Sequence, residues 1–339
     1  MSDSLASLPW SNNSDRRPMI SRRDFTKVAS IAAGSLFLSS DGGAQEKQAP
    51  VTGNPAAVRS GFVQNAGAEI YYEQTGDGPP IVFAHGLGGN HLSWWQQVPY
   101  FSPHYACVTF AHRGFSPSRL TSGGTVDPAL FEDDLLALVE HLKLAEVRLV
   151  AQSMGGSTCL NFTLRYPQRV RALVMASTRG TVDLKTLDGA DRKAIEAWSA
   201  ERGGMEAELL KRGIHPAAGE RMVREQPALE FLYREIDRLS ANLDKDALRT
   251  KFRAAWTRPA SDLKRLSVPV LFISGKEDVI FPPPAAVALA NLVPGAKLES
   301  VPETGHSVYF QRPEIFNRLV FNFFEAHGGV LLPPHAEIG

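Results

Sequence analysis

The feature that most constrains the fold is a serine between a short apolar run and a helix-like segment. The largely apolar run VRLV at residues 147–150 leads directly into the sequence AQSMGG at residues 151–156. Small residues are required on both sides of a serine where a strand turns sharply into a helix, because strand and helix approach closely there. In such a nucleophile elbow the serine hydroxyl stands clear of the backbone. The pattern therefore predicts a parallel sheet with Ser153 exposed at the carboxyl end of one strand.

Two later segments end in loops that carry the residue types a reactive serine needs. Residues 268–275 are typical of a buried parallel strand that ends at a glycine, and Asp278 follows. Residues 297–301 form a further strand-like stretch, and His306 follows it. An imidazole can take the serine proton, and a carboxylate can orient the imidazole. The chain order serine, acid, histidine is the one found with such an elbow, so Ser153, Asp278 and His306 are candidate catalytic residues.

The identity of the acid has two alternatives. Glu277 directly precedes Asp278 and is the rival carboxylate. The spacing strand-Gly-x-x-Asp favours Asp278 over its neighbour. Asp183, which follows the sixth predicted strand, is a weaker alternative. The sequence therefore ranks Asp278 first and leaves the other two carboxylates open.

A glycine-rich loop upstream supplies the candidate oxyanion hole. Residues 80–84 are predicted as a strand, and HGLGG at residues 85–89 follows. Elbow-bearing enzymes take one backbone donor from such a loop and the other from the residue after the nucleophile. The predicted donors are therefore the N–H groups of Leu87 and Met154. His85 is expected to hold the loop, and His112 is also expected to have a structural role.

Taken together, these segments resemble the α/β-hydrolase fold superfamily, in the branch of esterases, enol-lactonases and C–C bond hydrolases. RGFSPS at residues 113–118 resembles the family's Asp-x-Arg-Gly-x-Gly-x-Ser loop, with Ala111 and Ser116 in place of Asp and Gly. The resemblance spans about residues 58–326. It implies an α/β fold with a mostly parallel eight-stranded sheet flanked by helices. It also implies a helical cap inserted between strands six and seven.

The domain organisation follows from this resemblance and from composition. Residues 58–178 and 263–326 are predicted as the two parts of the core, residues 45–57 as a linker and residues 327–339 as a tail. Residues 179–262 are rich in Glu, Lys, Arg and Ala and are the predicted cap, with amphipathic helices over 227–239 and 244–256. The basic residues of this insert are expected to form a solvated helical face. Because caps shape the acyl pocket, specificity is expected to depend on this segment.

The N-terminus resembles a twin-arginine signal peptide. SRRDFTK at residues 21–27 precedes the apolar residues 28–38. This stretch is too short for a membrane span, which needs about 20 apolar residues. We expect residues 1–44 to be removed after Ala44 following passage through the twin-arginine export machinery. The mature protein is then expected in the periplasm or outside the cell, without stable membrane insertion.

Charge and cysteine usage exclude several partners. The chain has 36 basic and 36 acidic residues, so it carries no electrostatic footprint for nucleic acid. Its histidines lack metal-ligand spacing, and no dinucleotide-binding fingerprint is present, so neither a metal nor an organic cofactor is expected. Cys107 and Cys159 are expected to be buried free thiols rather than a disulfide.

The leading functional expectation is a serine hydrolase that cleaves a carboxylic ester or lactone of a small molecule through an acyl-enzyme. Two alternative enzymes would use the same triad. One is a C–C bond hydrolase, and the other is a cofactor-free haloperoxidase, or perhydrolase, which transfers the acyl group to peroxide. A non-catalytic small-molecule binding protein is the alternative from another class, because a fold does not by itself fix a function.

Overall fold

The computed structural model describes residues 57–329, in which nine strands form one sheet. In chain order the strands are β1 Arg59–Asn65, β2 Ala68–Thr75, β3 Pro80–Ala84, β4 Ala106–Phe110, β5 Arg119–Leu120, β6 Val147–Gln152, β7 Val170–Ala176, β8 Val270–Gly275 and β9 Lys297–Val301. Their order in the sheet is β1-β2-β4-β3-β6-β7-β8-β9, and β5 pairs with β2. Strand β2 pairs antiparallel with β1, β4 and β5. All pairs from β4 to β9 are parallel, so the loops that follow these strands leave the sheet at one edge.

Helices cover both faces of the sheet because its central strands are apolar on both sides. Every residue of β4, β6 and β8 is buried. Successive side chains of a strand point to opposite faces. Accordingly, Val82 and Ala84 of β3 belong to one core cluster, and Ile81 and Phe83 belong to the other. This is the burial pattern of a parallel sheet between two helical layers.

Eleven α helices lie within residues 57–329. They are α1 Val98–Phe101, α2 Phe131–His141, α3 Gly155–Arg165, α4 Gly189–Arg202, α5 Met205–Lys211, α6 Gly219–Glu225, α7 Pro227–Arg238, α8 Lys245–Ala255, α9 Pro283–Leu292, α10 Val308–Gln311 and α11 Pro313–Glu325. Helices α4 to α8 lie consecutively between β7 and β8 and form the inserted segment.

The two helices that the sequence predicted for the insert, α7 and α8, lie within one residue of their predicted bounds. Helix α7 begins at Pro227, whose fixed φ suits the first turn of a helix, and it buries Tyr233 and Ile236. The N-cap of α8 is Asp244, whose side chain accepts from the N–H of Ala247 at 2.9 Å. The described part of this insert contains no strand beyond an isolated bridge between Val182 and Arg258.

The predicted α/β fold with a mostly parallel, helix-flanked sheet is confirmed. Eight strands form the continuous path that was predicted, and the ninth, β5, is an addition. Strand β5 has only two residues, both exposed, so no alternation of apolar residues marks it in the sequence. The core strand predicted from residue 268 begins two residues later, at Val270.

The predicted signal peptide, the cleavage site after Ala44, and residues 45–56 and 330–339 lie outside the described residues. Over residues 57–329, no helix combines the length and apolar character that crossing a bilayer requires. Cys107 and Cys159 are buried free thiols, as expected, and burial raises the pKa of both.

Candidate active site

Ser153 lies on a sharp turn between β6 and α3. Its φ is +50°, in the left-handed region that non-glycine residues rarely adopt and that costs of the order of 1–3 kcal/mol. The turn is tight because a Cβ added to Gly155 would lie 2.2 Å from the carbonyl oxygen of Ala84. The N–H of Ser153 donates to the carbonyl of Ala176 in the neighbouring strand at 3.0 Å. The elbow predicted from small residues is thus a strained turn that the sheet holds in place.

Asp278 and His306 meet at the same edge of the sheet, in the loops after β8 and β9. Nδ1 of His306 lies 2.9 Å from Oδ2 and 3.1 Å from Oδ1 of Asp278. Both side chains are buried, and Oδ1 also accepts from the N–H groups of Ile280 and Phe281 at 2.8 and 2.9 Å. A carboxylate can only accept, so the proton of the neutral imidazole resides on Nδ1. This leaves Nε2 of His306 as a proton acceptor.

The two rival carboxylates have other partners. Glu277 binds Arg221 of α6 through two hydrogen bonds, of 2.6 and 2.9 Å. This guanidinium lowers the pKa of Glu277. Asp183 instead caps a short 3₁₀ helix, Leu184–Thr186, and accepts from the N–H of Lys185 at 3.0 Å. Of the three candidate acids, the structure brings Asp278 to His306.

The candidate oxyanion donors Leu87 and Met154 line the same cavity as Ser153 and His306. The carbonyl of Gly86 accepts from the N–H of Gly89 at 3.1 Å and from Nδ1 of His85 at 2.8 Å. In a trans peptide the N–H points away from the preceding carbonyl. These two hydrogen bonds therefore fix the direction of the Leu87 N–H.

His85 and His112 form a buried hydrogen-bonded chain behind the oxyanion loop. The backbone N–H of His112 donates to Nε2 of His85 at 3.0 Å, so Nε2 is an acceptor and the His85 proton resides on Nδ1. Nδ1 of His112 also lies 3.0 Å from this Nε2, and Nε2 of His112 lies 3.0 Å from the hydroxyl of Thr158. Burial lowers the pKa of His85 to about 3 and that of His112 well below its usual value. Both rings are neutral at physiological pH.

A buried ion pair fixes the loop that carries His112. The adjacent Arg113 has no exposed surface and binds Asp134 of α2 through Nε at 2.7 Å and Nη2 at 2.5 Å. The guanidinium also donates to carbonyls of the β1–β2 turn, those of Asn65 and Ala66, at 3.3 and 3.2 Å. Ala111, which replaces the acidic residue of the resembled motif, is fully buried. The acid that pairs with Arg113 therefore comes from a helix instead of from the loop itself.

The cavity beside Ser153 has a volume of about 250 Å³ and lies between the core and the insert. The core contributes Leu87, Ser153, Met154 and His306 together with their neighbours, and the insert contributes a wall of aromatic, apolar and charged side chains. Residues of that wall include His215, Tyr233, Asp237, Phe252 and Trp256. Burial lowers the pKa of His215 to about 4, with Asp237 opposing the shift.

Basic residues of α8 also contribute to this wall. Lys245, Arg249 and Arg253 recur every four residues, which places them on one face of the helix, and all three line the cavity. Arg249 and Arg253 are exposed, as the predicted solvated face requires, whereas Lys245 is half-buried, so the prediction is wrong for Lys245. Periodicity in the sequence reveals that they share a face, but it cannot reveal which neighbour that face meets.

Comparison with known proteins identifies the family. A family model of the α/β hydrolase fold matches residues 79–313, more than half of the chain. The chain belongs to this family. It is 27% identical to a non-heme chloroperoxidase from Kitasatospora aureofaciens, over 76% of this chain and 96% of that protein. It is 26% identical to 3-oxoadipate enol-lactonase 2 from Acinetobacter baylyi, over 72% of this chain and 88% of that protein.

Solved structures agree with this assignment to the α/β-hydrolase family. The chain is similar to Est816, an N-acyl homoserine lactone degrading enzyme, with a TM-score of 0.61 and 25% identity. The match covers 78% of this chain and 100% of that chain. The relatives of this α/β-hydrolase thus include lactone-cleaving enzymes and non-heme haloperoxidases, so the family supports an enzyme and leaves the substrate open.

Proposed function

We propose that this α/β-hydrolase is a serine hydrolase that cleaves a carboxylic ester or lactone of a small molecule. The observation that carries the proposal is the Asp278–His306 pair at 2.9 Å, whose imidazole lines the same cavity as Ser153. A serine at a positive φ, an imidazole with Nε2 free to accept, and a buried carboxylate are what acyl transfer requires.

In the proposed reaction the Ser153 hydroxyl attacks the carbonyl carbon, and Nε2 of His306 takes its proton. Asp278 holds the imidazole in the required tautomer and stabilises its positive charge. The N–H groups of Leu87 and Met154 donate to the oxyanion, each contributing about 3–4 kcal/mol to the stability of the transition state. His306 then protonates the leaving alcohol. Water, deprotonated by His306, releases the acid from Ser153.

Two other enzymatic outcomes fit the same residues. A C–C bond hydrolase would direct water to a ketone, and a perhydrolase would accept peroxide in place of water. The chloroperoxidase among the relatives supports the second alternative. The enol-lactonase and Est816 support the ester or lactone substrate. A binding protein is the less favoured alternative, because ligand binding does not require the Asp278–His306 pair.

The test is hydrolysis of p-nitrophenyl acetate, butyrate and octanoate by the mature protein and by Ser153→Ala. We expect turnover by the mature protein and a loss of at least 10³-fold in kcat in the variant. Ser199→Ala, at an exposed position on α4, is the matched control and should retain full activity. Equal turnover by Ser153→Ala would refute the proposal. Folded protein with no turnover of these esters, but with turnover of a vinylogous diketone or of peroxide, would instead favour one of the alternatives.

We also propose that the protein is exported. The support is the SRRDFTK sequence before the apolar residues 28–38. A substrate from outside the cytoplasm would follow from that location.

A further inference from the structure

The cavity beside Ser153 carries more positive than negative side chains. Four basic and two acidic residues line it: Arg179, Lys245, Arg249, Arg253, Glu206 and Asp237. One pair neutralises itself, because Nζ of Lys245 lies 2.5 Å from Oδ1 of Asp237. Arg249 pairs with Asp246, an exposed residue that is not part of the cavity wall. The other charged residues of the wall, Arg179, Arg253 and Glu206, together carry a net positive charge.

Arg179 and Arg253 both lack a carboxylate in contact within the described residues, but Arg253 is exposed and Arg179 is half-buried. Within residues 57–329, no carboxylate oxygen lies within 4.0 Å of the side-chain nitrogens of Arg179. The guanidinium instead lies over the ring of Trp256, with Cζ 4.1 Å from the centroid. The guanidinium is half-buried, and burial lowers its pKa to about 10, with the charge of Asp183 opposing the shift, so it remains protonated at neutral pH.

The backbone on both sides of Arg179 is tied to the elbow. The hydroxyl of Thr178 donates to the carbonyl of Ser153 at 2.6 Å. The hydroxyl of Ser157 donates to the carbonyl of Gly180 at 2.9 Å. A Cβ on Gly156 would lie 2.2 Å from the hydroxyl oxygen of Thr178, so the two segments pack closely. Arg179 is therefore held at a fixed position relative to the nucleophile, while Trp256 orients its guanidinium.

We propose that the ester or lactone substrate carries a carboxylate, and that Arg179 binds it. This inference rests on the proposed function and narrows the substrate to an anionic one. A guanidinium presents two parallel donors that match a carboxylate, and such charge-assisted pairs are stronger where water is partly excluded. A partly desolvated cation with no carboxylate in direct contact is unfavourable, and an anionic substrate relieves that cost. The net positive charge of the surrounding wall also favours a negatively charged substrate.

The test compares esters that differ only in charge. One pair places the charge on the acyl side: mono-4-nitrophenyl glutarate and its amide, 4-nitrophenyl glutaramate. The other pair places it on the leaving group: 4-acetoxybenzoate and 4-acetoxybenzamide. The kcat/KM of each ester is measured, with the spontaneous rate subtracted, for the mature protein, Arg179→Gln and Arg179→Lys. Arg192→Gln is the matched control, since Arg192 is exposed on α4 and its ion pair within residues 57–329 is with Glu196.

We expect the mature protein to prefer the anionic ester in at least one pair by about 10- to 100-fold, the range for a hydrogen bond between charged groups. Arg179→Gln should reduce that ratio at least tenfold, Arg179→Lys should retain part of it, and Arg192→Gln should retain all of it. Thermal unfolding of each variant verifies that it is folded. Equal rates for the anionic and neutral esters, or a preference that survives in Arg179→Gln, would overturn the inference.

A binding measurement separates this inference from the proposed function. Titration calorimetry with Ser153→Ala measures the affinity for the same four esters without turnover. Tighter binding of an anionic ester, lost in Ser153→Ala/Arg179→Gln, supports the carboxylate site even if the mature protein hydrolyses none of them. Equal affinities for the charged and neutral members of both pairs would refute the site, even if Ser153-dependent hydrolysis is observed.

Discussion

Nδ1 of His112 lies 3.0 Å from Nε2 of His85, and His85 in turn donates from Nδ1 to the carbonyl of Gly86. This carbonyl belongs to the peptide whose N–H, that of Leu87, is the proposed oxyanion donor. Two histidines remote from the reacting atoms are therefore connected to the orientation of one catalytic peptide group. The connection makes His85 a positioning residue in the proposed reaction.

His85→Leu removes the donor to Gly86 and should lower kcat by about 10- to 100-fold with little change in KM, because the oxyanion forms only on the way to the transition state. His85→Asn is the matched variant, since its amide can replace Nδ1–H as donor, and it should recover much of the rate. Steady-state kinetics with p-nitrophenyl butyrate measure both. A parallel loss in the two variants would show that the ring contributes packing and not orientation.

The same pair of histidines should make the fold sensitive to acid. Each has a pKa near 6.5 in the unfolded chain, whereas the native pKa is about 3 for His85 and well below 6.5 for His112. As the pH falls below 6.5, the unfolded chain binds protons that the native protein does not. The free energy of unfolding should thus fall by about 1.4 kcal/mol per pH unit for each histidine.

Urea unfolding at pH 7.5, 6.0 and 5.0 measures this loss of stability. The double variant His85→Asn/His112→Gln should show a shallower pH dependence than the unsubstituted protein, although its stability at pH 7.5 is lower. Parallel curves for the two proteins would refute the assignment, because other histidines would then account for the whole dependence.

Asp278→Asn should lower kcat by about 10⁴-fold, because an amide cannot select the tautomer that leaves Nε2 of His306 free. The neighbouring substitution Glu277→Gln tests the rival acid. Glu277 pairs with Arg221 near the surface, where such pairs contribute at most about 1 kcal/mol to stability. The kcat of Glu277→Gln should therefore change little. A larger loss of kcat in Glu277→Gln than in Asp278→Asn would reverse the assignment of the acid.

Export can be tested on the full-length chain. The double substitution Arg22→Lys/Arg23→Lys keeps the charge but alters the pair that the twin-arginine machinery reads. We expect the precursor of this variant to stay in the cytoplasmic fraction, and the unsubstituted chain to reach the periplasm in a shortened form. Fractionation followed by mass spectrometry of the N-terminus measures location and cleavage together. Equal export of both chains would exclude the twin-arginine route.

The sequence predicted those parts of the molecule that depend on local pattern. Apolar runs ending at glycine or small residues located the strands before Ser153 and Asp278, and topology then placed their loops at one edge. The choice of Asp278 over Glu277 rested on spacing alone, and the contact with His306 agrees with it. Such features are readable because a strand end and the turn after it involve only a few consecutive residues.

What the sequence did not predict depends on contacts between distant segments. The His85–His112 contact needs two loops to meet, and each histidine alone has no distinguishing neighbour. The basic face of α8 was predicted to be solvated because charged residues are usually exposed, and Arg249 and Arg253 are exposed. The prediction did not reveal that this face also borders the cavity, where Lys245 is half-buried. The guanidinium of Arg179 lies over Trp256, a residue 77 positions later in the chain, at a distance that no local pattern encodes.

The placement of the insert separates the proposed catalytic residues from most of the cavity wall along the chain. The proposed reacting groups lie outside it, on loops that the sheet anchors, whereas the walls that meet the substrate come largely from one continuous stretch between β7 and β8. A single recombination event could exchange that stretch and leave the chemistry intact. Descendants of such a protein could acquire new substrate specificities while they keep the same catalytic residues.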